Sequence, residues 1–174
     1  MTYQQRIDEA TKLKDLGNEA FKNKDYVVAC SYYDKGIPYL HFAFPFLKEK
    51  HIVEGEEGHE EEMEKGAELS HALRTNKALC YLKMNDFHAA ITECTTVLEK
   101  QPENVKALYR RGVAHGKYGM LAEAVQDLEA CLKVDPENKS ASTELERVKR
   151  QLHAEDQKKK KSLRSFFQNG FGDN

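Results

Sequence analysis

Gln101-Pro102-Glu103-Asn104 and Asp135-Pro136-Glu137-Asn138 are nearly the same four residues written twice, 34 positions apart. A proline at the second position has no N–H for a continuing helix and ends it. Working outward from these turns, the same offset of 34 pairs Ala90 with Ala124 and Tyr81 with His115. Upstream, Gly17, Ala29 and Tyr33 hold the relative positions that Gly112, Ala124 and Leu128 hold in the last unit, with 27 extra residues inserted between the first and second units. Small residues at fixed phases let two helices approach closely, so each unit reads as an antiparallel helix pair. The units span about 10–43, 71–104 and 105–138, with tight turns expected near Lys24-Asp25, Asn85-Asp86 and Tyr118-Gly119. Repeats of this length bury a continuous core only by stacking on one another.

Composition agrees with an all-α chain. The 174 residues are 40% hydrophobic and 32% charged, with four prolines and no tryptophan. A net charge of −2 offers no global basic field for nucleic acid, which is not expected as a partner. No apolar run approaches the roughly 20 residues that cross a bilayer. Met1 to Ala10 is polar, without the apolar stretch of a secretory signal, so a cytoplasmic address is the expectation. The cysteines, Cys30, Cys80, Cys94 and Cys131, form no CxxC pair and read as small buried hydrophobes. The seven histidines show no ligand spacing, so no metal is expected, and His115 is expected to pack between helices. No phosphate-binding loop or nucleophile motif is visible, and no cofactor is expected. Glu61 and Glu62 sit in an exposed acidic run, a poor place to tune a catalytic carboxyl. The chain is not expected to be an enzyme.

Outside the repeats, three segments remain. An insertion at about 44–70 is preceded by an apolar, aromatic stretch from Ile37 to Phe46 and contains an acidic run from Glu54 to Glu64. The first part reads as an extension of the preceding helix packed on an elongated first helix of repeat two, or as an exposed apolar patch for a partner. A capping helix is expected at about 139–160, with Ala141, Leu145, Val148 and Leu152 on one apolar stripe. After it, residues 161–174 read as a flexible basic-aromatic tail.

The first helix of each unit carries polar residues at helical spacing. Lys14 and Asn18 are four apart on one face, as are Lys106 and Arg110, and Asn76 lies between them in the second unit. Three cations and two carboxamides are gathered, with no carboxylate among the five.

The segments Lys14-Asp15-Leu16-Gly17-Asn18-Glu19-Ala20-Phe21, Thr75-Asn76-Lys77-Ala78 and Lys106-Ala107-Leu108-Tyr109-Arg110-Arg111-Gly112 resemble the carboxylate-clamp tetratricopeptide-repeat (TPR) co-chaperones. The C-terminal TPR domains of the FK506-binding immunophilins are the nearest in kind, and the resemblance spans roughly residues 8 to 168. It implies a right-handed superhelix of three helix hairpins with a C-terminal cap. It further implies a groove that holds the terminal Glu-Glu-Val-Asp of heat-shock protein 90 or heat-shock protein 70. By the same resemblance Lys14, Asn18 and Asn76 would hold the terminal carboxylate, Lys106 the Asp side chain, and Arg110 groups further upstream. Phe21 and Leu79, one turn beyond Asn18 and Asn76, either line an apolar pocket for the partner's Val or Met or belong to the core. The basic-aromatic segment 158–167 resembles the immunophilin tail that overlaps calmodulin sites. It can equally be a solvated helix end, an auxiliary contact or a site for an acidic membrane. Immunophilins carry an isomerase domain before the repeats, whereas about nine residues precede the first repeat here. The chain is expected to be either an excised domain or a short adaptor. The competing reading is a scaffold whose main contact is the aromatic insertion or the basic tail.

Overall fold

The computed structural model describes residues 1–43 and 59–170. Helix α1 (Tyr3–Lys22) pairs with α2 (Tyr26–Gly36), which runs into a 3₁₀ segment at Ile37–Ala43. Then come α3 (Glu60–Lys83) with α4 (Phe87–Leu98), α5 (Val105–Tyr118) with α6 (Leu121–Val134), and a closing α7 (Lys139–Gly170). The described residues contain no strand. The helices of each hairpin pack on each other, and each hairpin packs on the element that follows it in chain order.

Local chemistry sets the helix ends. Thr2 and Gln5 form a reciprocal capping box, which starts α1 at Tyr3, earlier than the repeat phase near residue 10 requires. Three turns within hairpins each contain one left-handed residue: Lys24 (φ 65°), Asn85 (φ 61°) and Gly119 (φ 95°). Between hairpins the Asn of each Pro-Glu-Asn turn caps the next helix. Asn104 Oδ1 accepts from the Ala107 N–H and Asn138 Oδ1 from the Ala141 N–H, both at 3.0 Å. The repeated four residues therefore stop one helix and start another.

The repeat phases are volume-matched across each hairpin. A Cβ on Gly17 would lie 2.4 Å from the Tyr33 ring, and one on Gly112 would lie 2.8 Å from Leu128. Repeat two holds Ala78 and Cys94 at the same two positions, both fully buried. Where the first helix carries glycine, the second carries a large side chain; where it carries alanine, the second carries a small one. Ala29, Ala90 and Ala124, at the third shared phase, are all completely buried.

Two apolar clusters form the interior. The first takes Ile7, Tyr33, Leu40 and Leu73 from α1 to α3, and the second takes Val97, Leu108, Leu128 and Val148 from α4 to α7. Helix α3 feeds both, which explains why buried residues lie all around it, from Met63 to Cys80.

The segment after α2 packs on the elongated α3, but as a 3₁₀ turn rather than a continued α-helix. Pro38, its second residue, lacks the N–H that an α-helical turn would use. Leu40 is fully buried there and Tyr39 packs beside it. Phe44, Phe46 and the acidic residues before position 59 lie outside the described residues. At the C-terminus the sequence reading separates a flexible tail at 161, whereas α7 continues without a break to Gly170. Its apolar stripe of Ala141, Leu145, Val148 and Leu152 does pack on the second cluster. From Asp156 to Gln168 every residue is exposed, including Leu163, Phe166 and Phe167.

Candidate functional site

Each first helix contributes to one connected set of polar groups. Asn18 on α1 accepts two hydrogen bonds at Oδ1, from Tyr33 Oη at 2.9 Å and from Asn76 Nδ2 at 3.2 Å. Two donors on one oxygen fix which end of the Asn18 amide is which, and leave its NH₂ to serve an incoming acceptor. On α5, Arg110 donates to the main-chain carbonyl of Thr75, the residue before Asn76. Asn18, Asn76 and Arg110 are thus linked across α1, α3 and α5. Lys14 and Lys106 stand one turn before Asn18 and Arg110 on the same helices, half-buried and exposed respectively.

The cations of these helices fall into two sets. Lys77 Nζ lies 2.7 Å from Glu93 and 2.6 Å from Asp34, and Arg74 reaches Glu93 at 3.0 Å. Arg111 grips Asp127 with two bonds, at 2.9 and 2.7 Å, and His115 Nδ1 meets the same carboxylate at 3.0 Å. These pairs recur at the repeat spacing, Lys77 with Arg111 and Glu93 with Asp127, and they tie the two helices of each hairpin. Lys14, Lys106 and Arg110 make no ion pair among the described residues. An Arg head group held without an anion is electrostatically expensive, and burial pulls the Arg110 guanidinium below its ordinary value. Tyr33 is almost completely buried, and that burial pushes its phenol up to about 12, so it stays a hydrogen-bond donor.

Burial works against Lys77, yet hydrogen bonds to Asp34 and Glu93 raise its ammonium above the ordinary lysine value. Burial likewise opposes Asp127 ionisation, and the bonds from His115 and Arg111 outweigh it, holding the carboxyl below its usual range. His115 does pack between helices, as a partner of Asp127. Phe21 stacks on Tyr26 at 5.3 Å against the first cluster, which is a packing role, while Leu79 is half-buried. Sequence reasoning missed Tyr33 Oη, the Thr75 carbonyl and the two recurring ion pairs. Only the last carried a signal, the 34-residue spacing of Lys77 with Arg111 and Glu93 with Asp127. Among the described residues no group of three or more His, Cys, Asp or Glu could hold a metal, and no helix is long and apolar enough to cross a membrane.

Known proteins share this fold. Residues 71–104 and 105–138 each match the tetratricopeptide repeat. Human peptidyl-prolyl cis-trans isomerase FKBP4 is 32% identical over 159 residues, which cover 89% of this chain and 32% of FKBP4. The chain therefore spans about a third of the length of that relative. The solved C-terminal TPR-containing domain of a Plasmodium falciparum FK506-binding protein superposes with a TM-score of 0.74 at 25% identity, covering 90% of this chain and 97% of that one. The first TPR of Spaghetti (RPAP3), bound to the HSP90 peptide SRMEEVD, superposes with a TM-score of 0.65 at 26% identity, covering 84% and 95%. The chain is a tetratricopeptide-repeat domain with an all-α superhelical fold, resembling the C-terminal TPR region of the FKBP immunophilins.

Proposed function

We propose that this domain is a co-chaperone adaptor that holds the acidic C-terminal tail of heat-shock protein 90 or heat-shock protein 70. The residues assigned are Lys14, Asn18, Asn76, Lys106 and Arg110. One observation carries the reading: among the described residues Lys14, Lys106 and Arg110 have no carboxylate partner, and beside them the Asn18 amide is oriented by two donors on its oxygen. A chain ending in Asp brings two carboxylates within a few ångströms of each other, acceptor-only groups that match such donors. Lys14, Asn18 and Asn76 take the terminal carboxylate, Lys106 the Asp side chain, and Arg110 the upstream backbone or side chains. Charge-assisted bonds contribute roughly 1.5–3 kcal/mol each, and two or three of them, less the ordering of a flexible tail, correspond to about micromolar affinity. The complex of the Spaghetti TPR with an HSP90 peptide supports the reading by likeness. The role is one of binding in the cytosol, without catalysis by this domain.

The test is calorimetric titration with the free-acid peptide Met-Glu-Glu-Val-Asp and with its C-terminal amide. Binding of the acid and loss of binding by the amide is the expected result. Equal binding of the two, or no binding of either, sinks the proposal. A scaffold reading has one observation in its favour, the exposed Leu163, Phe166 and Phe167 at helical spacing on α7. It requires partner capture to survive Lys14→Ala and to vanish on removal of residues 162–174.

A further inference from the structure

Leu163 and Phe166 lie eighteen residues, five helical turns, beyond Leu145 and Val148, so they continue the stripe by which α7 packs on the second apolar cluster. The hairpins end before the helix does. Leu152 is the last residue of that stripe to pack, and from Asp156 to Gln168 α7 runs on for about 20 Å with every residue exposed. On this stretch Leu163 is 58% exposed and Phe166 69%, and Phe167, 54% exposed, meets Phe166 edge-to-face at 5.8 Å. Lys158, Lys159, Lys160, Lys161 and Arg164 precede and flank them, and residues 157–169 contain no Asp or Glu, in a chain whose net charge is −2. Among the described residues none of these five cations has a carboxylate partner.

The helix itself does not account for the cations. A helix C-terminus attracts positive charge only within its last turn, and the lysines at 158–161 stand more than two turns before Gly170. A partner that takes a helix into a groove reads anchors over two turns, at i, i+3, i+4 and i+7. Counted from Leu163, positions 166 and 167 are phenylalanine but 170 is glycine, so one turn of apolar surface is left with cations on the turn before it. The same segment of a second copy would set cations against cations. A bilayer with anionic headgroups suits both features at once. Its charge complements the five cations, its interface takes shallow apolar side chains, and long lysine stems keep the ammonium groups at headgroup level beside the rings.

We propose that residues 157–168 of α7 form a peripheral docking site for an anionic bilayer surface rich in phosphatidylserine. Leu163 and Phe166 enter the boundary between headgroups and acyl chains, while the lysines at 158–161 and Arg164 contact the headgroups. The five residues assigned to the acidic tail lie on α1, α3 and α5, so this surface acts independently of that site.

The experiment sediments the whole chain with vesicles of phosphatidylcholine alone, and with vesicles of phosphatidylcholine and phosphatidylserine in equal parts. Pelleting with the second and not the first, weakening as salt is raised, is the expected outcome. Lys160→Gln together with Lys161→Gln should weaken binding about tenfold or more, and Phe166→Ser by about tenfold. The chain has no tryptophan, so Phe166→Trp supplies a single reporter whose emission should shift to the blue with the anionic vesicles alone. These positions are exposed, so the variants should melt as the parent does. Failure to pellet, equal pelleting with both vesicle types, binding untouched by Phe166→Ser, or a tryptophan emission that stays put overturns the proposal. So does a chain that ignores the vesicles and binds calcium-loaded calmodulin instead.

Discussion

Asn76 Nδ2 donates to Asn18 Oδ1 at 3.2 Å, joining two helices whose contacting residues are 58 positions apart. The same oxygen takes the Tyr33 hydroxyl, so an almost fully buried side chain on α2 sets the orientation of an amide on α1. Removing that hydroxyl isolates its role. Tyr33→Phe keeps the ring against Gly17 and should cost about 1 kcal/mol of stability, the net worth of one hydrogen bond. It also frees the Asn18 amide to rotate, so acidic-peptide affinity should fall about three- to tenfold. Calorimetry and denaturant melts on the same preparation check both. Unchanged affinity with lowered stability would mean that Tyr33 merely packs.

The division of cations into paired and unpaired sets makes opposite demands on stability and binding. Lys14→Ala and Lys106→Ala remove charges with no internal partner, so stability should stay within about 0.5 kcal/mol while peptide affinity drops about tenfold or more. Arg111→Ala takes the guanidinium from Asp127, a carboxylate exposed by only 8%, and leaves it the His115 imidazole, and should cost about 3 kcal/mol. Chemical denaturation together with titration separates the two classes. A destabilised Lys14→Ala, or an Arg111→Ala as stable as the parent, contradicts the sorting.

Volume matching across the hairpins can be tested as a cycle. Gly17→Ala drives a methyl against a Tyr33 ring that is packed on all sides and tethered at its hydroxyl, for about 1–3 kcal/mol of destabilisation. On a Tyr33→Cys background the pair becomes the Ala78 and Cys94 of repeat two. There the same Gly17→Ala change should be neutral or should stabilise by up to about 1 kcal/mol through helix propensity. Additive effects in the cycle would show that the matched volumes are coincidental.

The repeat phases are visible in the sequence because helix approach depends on the side chains themselves. Gly17, Gly112 and the buried alanines Ala29, Ala90 and Ala124 state where two backbones come close. Asn18, Asn76 and Arg110 are legible for a similar reason, since residue type and phase put polar groups on one face. Other features depend on partners that leave no such mark. Arg110 is anchored by a main-chain carbonyl, which every residue possesses, so nothing singles out Thr75. Tyr33 reads as a bulky packing residue, and its hydroxyl contact needs the fold of α1 against α2 to be known. The end of α7 eludes a compositional reading differently. The run from Lys139 to Asn169 contains neither proline nor glycine, so a change from apolar stripe to lysines at 158–161 alters the surface without breaking the backbone.

His71 should make the fold acid-sensitive. It is buried on α3, and its Nδ1 has no hydrogen-bond partner among the described residues. Burial, aided by Arg74 and opposed by Glu68, lowers the imidazole below its ordinary value. Between the ordinary value near 6.5 and the folded value, the unfolded chain binds a proton that the folded chain does not. Stability contributed by this group is present above about pH 6.5 and declines as pH falls through the folded value, below which the loss levels off. Denaturant melts from pH 7.5 to 5 should therefore show a falling midpoint in the parent and a flatter profile in His71→Leu. The same slope in both chains would place the acid sensitivity on another residue.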